Sequence, residues 1–178
     1  MLIHKAIEFA VMAHKDQFRK GTNVPYIMHL FEVAQILTAN GASDNVICAG
    51  ILHDTLEDTT THIEDIVENF GQEIADLVAS ESENKALSWE ERKQYTIDHL
   101  GGTASLEELQ VACADKLSNI RSLEADLEKC GDEVWTRFKR GYNKQKWYYC
   151  SLVNSLKVLK DYDMYQEFVK ICSELFSK

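Results

Sequence analysis

The chain has 178 residues and a hydrophobic fraction of 45%, which suits one compact domain over residues 1–178 and excludes a disordered chain. Its net charge of −10 disfavours a broad nucleic-acid surface, although a local positive pocket for a small phosphate-bearing ligand stays open. The longest uncharged apolar run, residues 46–52, is seven residues long, whereas a membrane span needs roughly 20. The five cysteines form no CxxC pair, which favours reduced thiols in a cytoplasmic protein.

The predicted elements are helices from the N-terminus onward. One proline and eight glycines leave few interruptions, so the sequence predicts an all-α fold. Apolar residues at helical spacing predict a first helix over residues 2–15 and a second over about 26–39. Ser43 or Asp44 is expected to cap a third helix over about 44–57.

Three capping-box patterns, each a Ser or Thr followed three residues later by Glu, predict the next helix starts. They are Thr61 with Glu64, Ser88 with Glu91 and Ser105 with Glu108, opening helices that end near Gly71, Gly101 and Lys129. We expect three further helices, over residues 72–82, 133–159 and 162–176. Because no strand-period segment, linker or repeat is found, we expect a single compact helical bundle.

The stretch at residues 46–60 combines an apolar helix start with a cluster of ionisable side chains. Four of them, His53, Asp54, Glu57 and Asp58, fall within two turns. In a continuous helix His53 would lie beside Glu57, and Asp54 beside Asp58. Carboxylates at a helix C-terminus oppose the helix dipole and repel one another, and a bound divalent cation would reverse both penalties. The alternative is an ordinary solvated acidic helix end.

Two further ionisable residues lie inside apolar helical runs. His29 is surrounded by apolar residues, and Asp115 follows the run at 111–114. Taken singly, His29 fits a core histidine and Asp115 a salt-bridged carboxylate. Taken with His53 and Asp54, they form a set of two imidazoles and two carboxylates. Such a set suits Mn²⁺, Fe²⁺ or Zn²⁺ better than Ca²⁺ or Mg²⁺.

Three segments carry a resemblance to a known family. They are AHKDQFRKGTNVPYIMHLFEVAQIL (13–37), ILHDTLEDTT (51–60) and ADKLSNIRSL (114–123). With this ordered H…HD…D set the sequence resembles the HD-domain metal phosphohydrolases. More narrowly, it is similar to the hydrolase domain of RelA/SpoT-type enzymes and to stand-alone small alarmone hydrolases. These enzymes remove the 3′-pyrophosphate from guanosine tetra- and pentaphosphate.

The resemblance implies a role for each matching residue. The metal ligands would be His29, His53, Asp54 and Asp115, usually for Mn²⁺, with Zn²⁺ or Fe²⁺ as alternatives. The attacking water would be oriented or deprotonated by Glu57 and Asp58. The substrate phosphates would meet Arg19 and Lys20, and the nucleotide pocket would include Asn119 and Arg121. Apart from the resemblance, the negative charge of such a substrate suggests a further cation, either Arg140 or Lys144. No synthetase half is expected, so the implied activity is hydrolysis of a nucleotide.

Two alternatives stay open at this stage. The same metal centre would serve an HD hydrolase of another phosphorylated nucleotide, such as an adenosine analogue of ppGpp, the 2′-phosphate of NADPH or a nucleoside monophosphate. A nucleotide-sensing module without chemistry should have lost a metal ligand or the Glu57–Asp58 pair, and this sequence keeps both. The sequence also leaves open the physiological metal and whether the chain works as a homodimer.

Overall fold

The computed structural model describes residues 1–177, and the regular structure in this range is helical, which confirms the all-α prediction. The α-helices, in chain order, are α1 (Leu2–Ala13), α2 (Ile27–Ala39), α3 (Asp44–Leu52), α4 (Thr55–Asp58), α5 (Ile63–Phe70), α6 (Gln72–Ser80), α7 (Trp89–Gly102), α8 (Leu106–Cys130), α9 (Gly141–Ser155) and α10 (Asp163–Leu175). Short 3₁₀-helices cover Gly131–Arg137 and Lys157–Leu159. No helix within residues 1–177 is both long enough and apolar enough to cross a membrane.

The chain groups into two compact units. The first contains Met1–Asn84 and Ser105–Asp115, and the second contains Lys85–Ala104 and the chain from Lys116 onward. Helix α8 therefore contributes its first part to one unit and its remainder to the other. The expectation of a single domain over residues 1–178 stays a prediction.

The first unit is built around α3, which packs against α1, α2 and α6. Every residue from Val46 to Leu52 is buried, as the apolar sequence of this helix predicts. Gly50 permits the close approach of α2, because a Cβ atom at this position would clash with Leu37 Cδ1 and lie 3.1 Å from Val33 Cγ1. Since Val33 and Leu37 share the helical face of His29, this contact brings His29 toward the end of α3.

The third helix is shorter than predicted, because α3 ends at Leu52 and the four-residue helix α4 follows after a turn at His53 and Asp54. Two side chains contact main-chain carbonyl groups at the end of α3. Thr55 Oγ1 donates to the Leu52 carbonyl at 2.6 Å, and His53 Nδ1 lies 2.8 Å from the Gly50 carbonyl. Local side-chain bonds of this kind compete with the helical hydrogen-bond ladder.

Two of the three predicted capping boxes are confirmed. Ser88 N donates to Glu91 Oε2 at 2.9 Å, and Ser105 N donates to Glu108 Oε2 at 2.7 Å. The box at Thr61 with Glu64 is wrong, because α5 begins one residue later and uses the pair His62 and Asp65, with His62 N donating to Asp65 Oδ2 at 2.8 Å. The Thr61 hydroxyl is instead bonded to Thr59 Oγ1 at 2.8 Å.

In the second unit α9 packs against α7 and α10. The continuous helix predicted over 133–159 is wrong, because a 3₁₀-helix and a turn precede α9 and another 3₁₀-helix follows it. Gly141 opens α9 with φ +65°, a left-handed conformation that glycine adopts readily. Tyr148 and Tyr149 are buried, so these two aromatic side chains pack inside this unit.

We predict that Gly50→Ala lowers the free energy of unfolding by about 1–3 kcal/mol relative to Gly102→Ala, because the new methyl group overpacks the α2–α3 contact. Gly102 is the matched control, since a Cβ atom there meets nothing within 4 Å. Urea denaturation of both variants measures the difference. Equal stability of the two variants would show that α2 does not depend on a glycine at this position.

Candidate metal centre

The four predicted metal ligands converge in the first unit. His29 comes from α2, His53 and Asp54 from the turn after α3, and Asp115 from α8. His29 Nε2 lies 3.0 Å from Asp115 Oδ1 and 3.7 Å from Asp54 Oδ2. His53 Nε2 lies 3.0 Å from Asp54 Oδ2 and 3.5 Å from Asp115 Oδ1. The two carboxylates therefore face both imidazole nitrogens.

This donor set fits a divalent cation. His29, His53 and Asp115 are buried, and each offers a ligand atom within 4.8 Å of the others, so the three could hold a metal ion. The Gly50 carbonyl can only accept a hydrogen bond, so the 2.8 Å contact places a proton on His53 Nδ1. The second nitrogen, Nε2, faces the carboxylates and would be the atom that binds a metal ion once it has lost its proton, which is the arrangement metal-ligating histidines use.

The pKa values of the two histidines are shifted in opposite directions. Burial lowers the pKa of His29 despite its hydrogen bond to Asp115, which favours a neutral imidazole. Burial also acts to lower the pKa of His53, but the Asp54 and Asp115 carboxylates outweigh it and raise that pKa well above 6.5. Burial acts to raise the pKa of Asp54, and the positive charge on His53 more than offsets this, so the pKa lies well below its usual range.

Glu57 and Asp58 lie on α4, one turn beyond the metal-ligand pair in the sequence. Asp58 N donates to the Asp54 carbonyl at 2.9 Å, which keeps the helical register between the two residues. Glu57 is half-buried, and its Oε2 accepts from the backbone amide of Glu83 at 3.4 Å. The Asp58 side chain is exposed. Although the regular helix is interrupted at His53 and Asp54, Asp54 and Asp58 remain one helical turn apart, as the sequence predicted.

The loop between α1 and α2 places Arg19 against Tyr26, which directly precedes α2. The loop is closed by two backbone bonds, from Arg19 N to the Val24 carbonyl at 2.8 Å and from Tyr26 N to the Gln17 carbonyl at 2.9 Å. The Arg19 guanidinium lies over the Tyr26 ring, 5.8 Å from its centroid. Lys20 is the next residue of the loop and is exposed.

The remaining predicted substrate-binding residues belong to the second unit. Asn119 and Arg121 lie on α8, after Asp115, and Lys144 lies on α9. Arg121 makes a two-point contact with Glu167, with Nε and Nη2 each 2.7 Å from a carboxylate oxygen. Lys144 Nζ lies 3.7 Å from Glu90 Oε1. Their role in binding a nucleotide stays a prediction.

Tyr26 belongs to this cluster and was missed by the sequence reasoning. Its hydroxyl donates to Asp54 Oδ2 at 2.7 Å, and its ring contacts His29, with centroids 5.7 Å apart. Burial and the Asp54 carboxylate raise the pKa of this phenol, so it acts as a donor. The spacing of Tyr26 and His29, three residues along a helix start, is the signal that could have indicated it.

Comparisons with known proteins show the family to which the chain belongs. A family model described as HD domain matches residues 6–140. The Xenopus tropicalis guanosine-3′,5′-bis(diphosphate) 3′-pyrophosphohydrolase MESH1 is 39% identical over 138 residues, which cover 76% of this chain and 74% of that protein. An all-helical fold with a His, His-Asp, Asp set defines the HD class, and the chain belongs to the HD domain family.

Two solved structures superpose on the chain. The crystal structure of lmo0812 from Listeria monocytogenes EGD-e is 42% identical, with a TM-score of 0.79, and covers 84% of this chain and 99% of that one. A structure described as a metazoan ortholog of SpoT that hydrolyzes ppGpp is 25% identical, with a TM-score of 0.78, and covers 99% of this chain and 94% of that one. The predicted resemblance to the RelA/SpoT-type hydrolases is therefore confirmed.

We predict that the His53 imidazole of chelator-treated protein stays protonated at pH 7, because its pKa is raised well above 6.5 by Asp54 and Asp115. Asp54→Asn removes the larger of these carboxylate effects and should lower the pH at which His53 titrates. Histidine NMR titration measures this change. Asp126→Asn, which removes the partner of Arg137 in the second unit, is the control and should leave His53 unchanged. A His53 signal that titrates at the same pH in the Asp54→Asn variant would contradict the assignment.

Proposed function

We propose that this chain hydrolyses guanosine-3′,5′-bis(diphosphate) and the corresponding pentaphosphate, releasing the 3′-pyrophosphate and leaving GDP or GTP. The observation that carries the proposal is the convergence of His29, His53 and Asp115, with ligand atoms within 4.8 Å of one another, in a family whose relative MESH1 is named for this reaction. One water molecule is consumed, and the bond between the ribose 3′ oxygen and the pyrophosphate breaks.

The proposed metal ligands are His29, His53, Asp54 and Asp115, and the proposed ion is Mn²⁺, with Zn²⁺ or Fe²⁺ as alternatives. Mixed imidazole and carboxylate ligands support this choice. When bound, such an ion supplies Lewis acidity, which polarises a phosphoryl oxygen and lowers the pKa of an attacking water toward about 7. The neutral His29 and the ionised Asp54, as their pKa directions indicate, are the protonation states that metal binding requires, and His53, whose pKa is raised, would release its Nε2 proton when the ion binds.

Glu57 and Asp58 are proposed to orient the attacking water and accept its proton. The contact of Glu57 Oε2 with the Glu83 amide supports a fixed direction for one carboxylate oxygen. The exposure of Asp58 supports a carboxylate that water can reach. General bases of this kind contribute about 10²–10⁴-fold to a rate.

Arg19 and Lys20 are proposed to bind the substrate phosphates. Arg19 lies over Tyr26, whose hydroxyl bonds to Asp54, so its guanidinium is one side chain away from the proposed metal ligands. Guanidinium groups suit two-point contact with phosphate, and a lysine adds a compact positive charge. In the second unit, Asn119, Arg121 and Lys144 are proposed as further nucleotide-binding residues. A cytoplasmic setting is proposed from the five free cysteines.

The proposed reaction is tested by incubating the purified chain with a panel of nucleotides and added Mn²⁺, Zn²⁺ or Mg²⁺, followed by product identification. The panel contains ppGpp, pppGpp, the adenosine analogue of ppGpp, NADPH and nucleoside monophosphates. We expect GDP and pyrophosphate from ppGpp, and no product after chelation. Preferred turnover of another nucleotide would transfer the proposal to that substrate, and no metal-dependent turnover of any nucleotide would overturn it.

We predict that Glu57→Gln and Asp58→Asn each lower kcat by about 10²–10⁴-fold while the chain still binds metal. His53→Ala should instead lose both the metal and the activity, because it removes a ligand. Metal content after dialysis and steady-state kinetics separate these effects. Glu68→Gln, which changes an exposed carboxylate on α5, is the matched control and should behave as the unmodified chain. Full activity in the Glu57→Gln and Asp58→Asn variants would remove these residues from the mechanism.

A further inference from the structure

The Asp54 carboxylate is held from two sides. Its Oδ2 atom lies 3.0 Å from His53 Nε2 and accepts the Tyr26 hydroxyl at 2.7 Å. Asp54 lies in the turn between α3 and α4, at a point where regular helix is interrupted. A short side chain on such a turn has several rotamers available, so an outside contact is needed to hold its carboxylate beside the imidazoles.

Tyr26 is itself fixed by its neighbours. The His14 ring stacks on it, with centroids 5.2 Å apart and an interplanar angle of 23°. The His29 ring meets it near edge-on, at 69°. Its backbone amide donates to the Gln17 carbonyl at 2.9 Å. The phenol is therefore positioned by the end of α1 and by the start of α2, and it does not depend on Asp54 for its place.

The contacts around Tyr26 extend through Gln17 to the backbone of α4. Gln17 Nε2 donates to the Asp58 carbonyl, so Gln17 Oε1 is left to accept, and it lies 2.7 Å from His14 Nδ1. His14 is buried, with 2% of its surface exposed. His14 therefore supports the phenol, because its ring stacks on Tyr26 and its Nδ1 is hydrogen-bonded to Gln17.

We propose that Tyr26 is a positioning residue, whose hydroxyl holds Asp54 in the orientation that the proposed metal site needs. The proposal rests on the proposed function, because it assumes that Asp54 is a metal ligand. Partners of this kind, one step behind the ligands, fix ligand orientation, and their loss lowers metal affinity about 10–100-fold. The role is distinct from those of Glu57 and Asp58, because Tyr26 acts on the metal through Asp54.

The test compares Tyr26→Phe with Tyr165→Phe in the full chain. Each variant removes one tyrosine hydroxyl from a 2.7 Å hydrogen bond, and the Tyr165 hydroxyl donates to the Val153 carbonyl in the second unit. Chelator-stripped protein is titrated with Mn²⁺, and bound ion is followed by electron paramagnetic resonance. We expect Tyr26→Phe to weaken Mn²⁺ binding about 10–100-fold and to change the spectrum of the bound ion. Tyr165→Phe should match the unmodified chain.

A second readout separates positioning from folding. Thermal unfolding of the metal-free variants should show no greater loss for Tyr26→Phe than for Tyr165→Phe. The activity of Tyr26→Phe should recover as Mn²⁺ is raised, because the weakened step is ion binding. Equal Mn²⁺ affinity in Tyr26→Phe and the unmodified chain would overturn this inference and leave the proposed function standing. If the unmodified chain bound no divalent ion, both would fall together.

Discussion

In the first unit, the charges of buried carboxylates must be balanced by positive charge on neighbouring groups. The Asp115 side chain is only 7% exposed, and His29 and His53 are buried more fully. An isolated charge in such a place costs several kcal/mol, so each carboxylate must have a partner of opposite charge. In the metal-free chain His53 provides this charge as an imidazolium, which its raised pKa indicates. A dication would provide it to both carboxylates at once.

Helix α3 is the element that places this cluster. Its buried apolar residues fix it in the first unit, and Gly50 allows the α2 face that carries His29, Val33 and Leu37 to approach. The Gly50 carbonyl then fixes the tautomer of His53. Position 50 therefore acts twice: the missing Cβ of the glycine sets the packing of α2 on α3, and the main-chain carbonyl, which any residue would offer, orients the proposed ligand His53.

Much of this arrangement was predictable from the sequence. The spacing of apolar residues predicted most of the helices. The positions of His29 and Asp115 inside apolar runs indicated that these polar side chains needed partners. The end of helix α3 at Leu52 was not predictable, because it depends on which carbonyl groups the Thr55 and His53 side chains contact. The contact of Tyr26 with Asp54 was not predictable for a related reason, since it joins residues 28 positions apart, and only the three-residue spacing of Tyr26 from His29 is a local signal.

Anomalous diffraction from crystals of the chain grown with Mn²⁺ would locate the ion in the proposed metal site. We predict one anomalous peak within bonding distance of His29 Nε2, His53 Nε2 and an oxygen of each of Asp54 and Asp115, with the Tyr26 hydroxyl still bonded to Asp54. A peak ligated by other residues, or an ordered cluster that binds no ion at saturating Mn²⁺, would contradict this prediction.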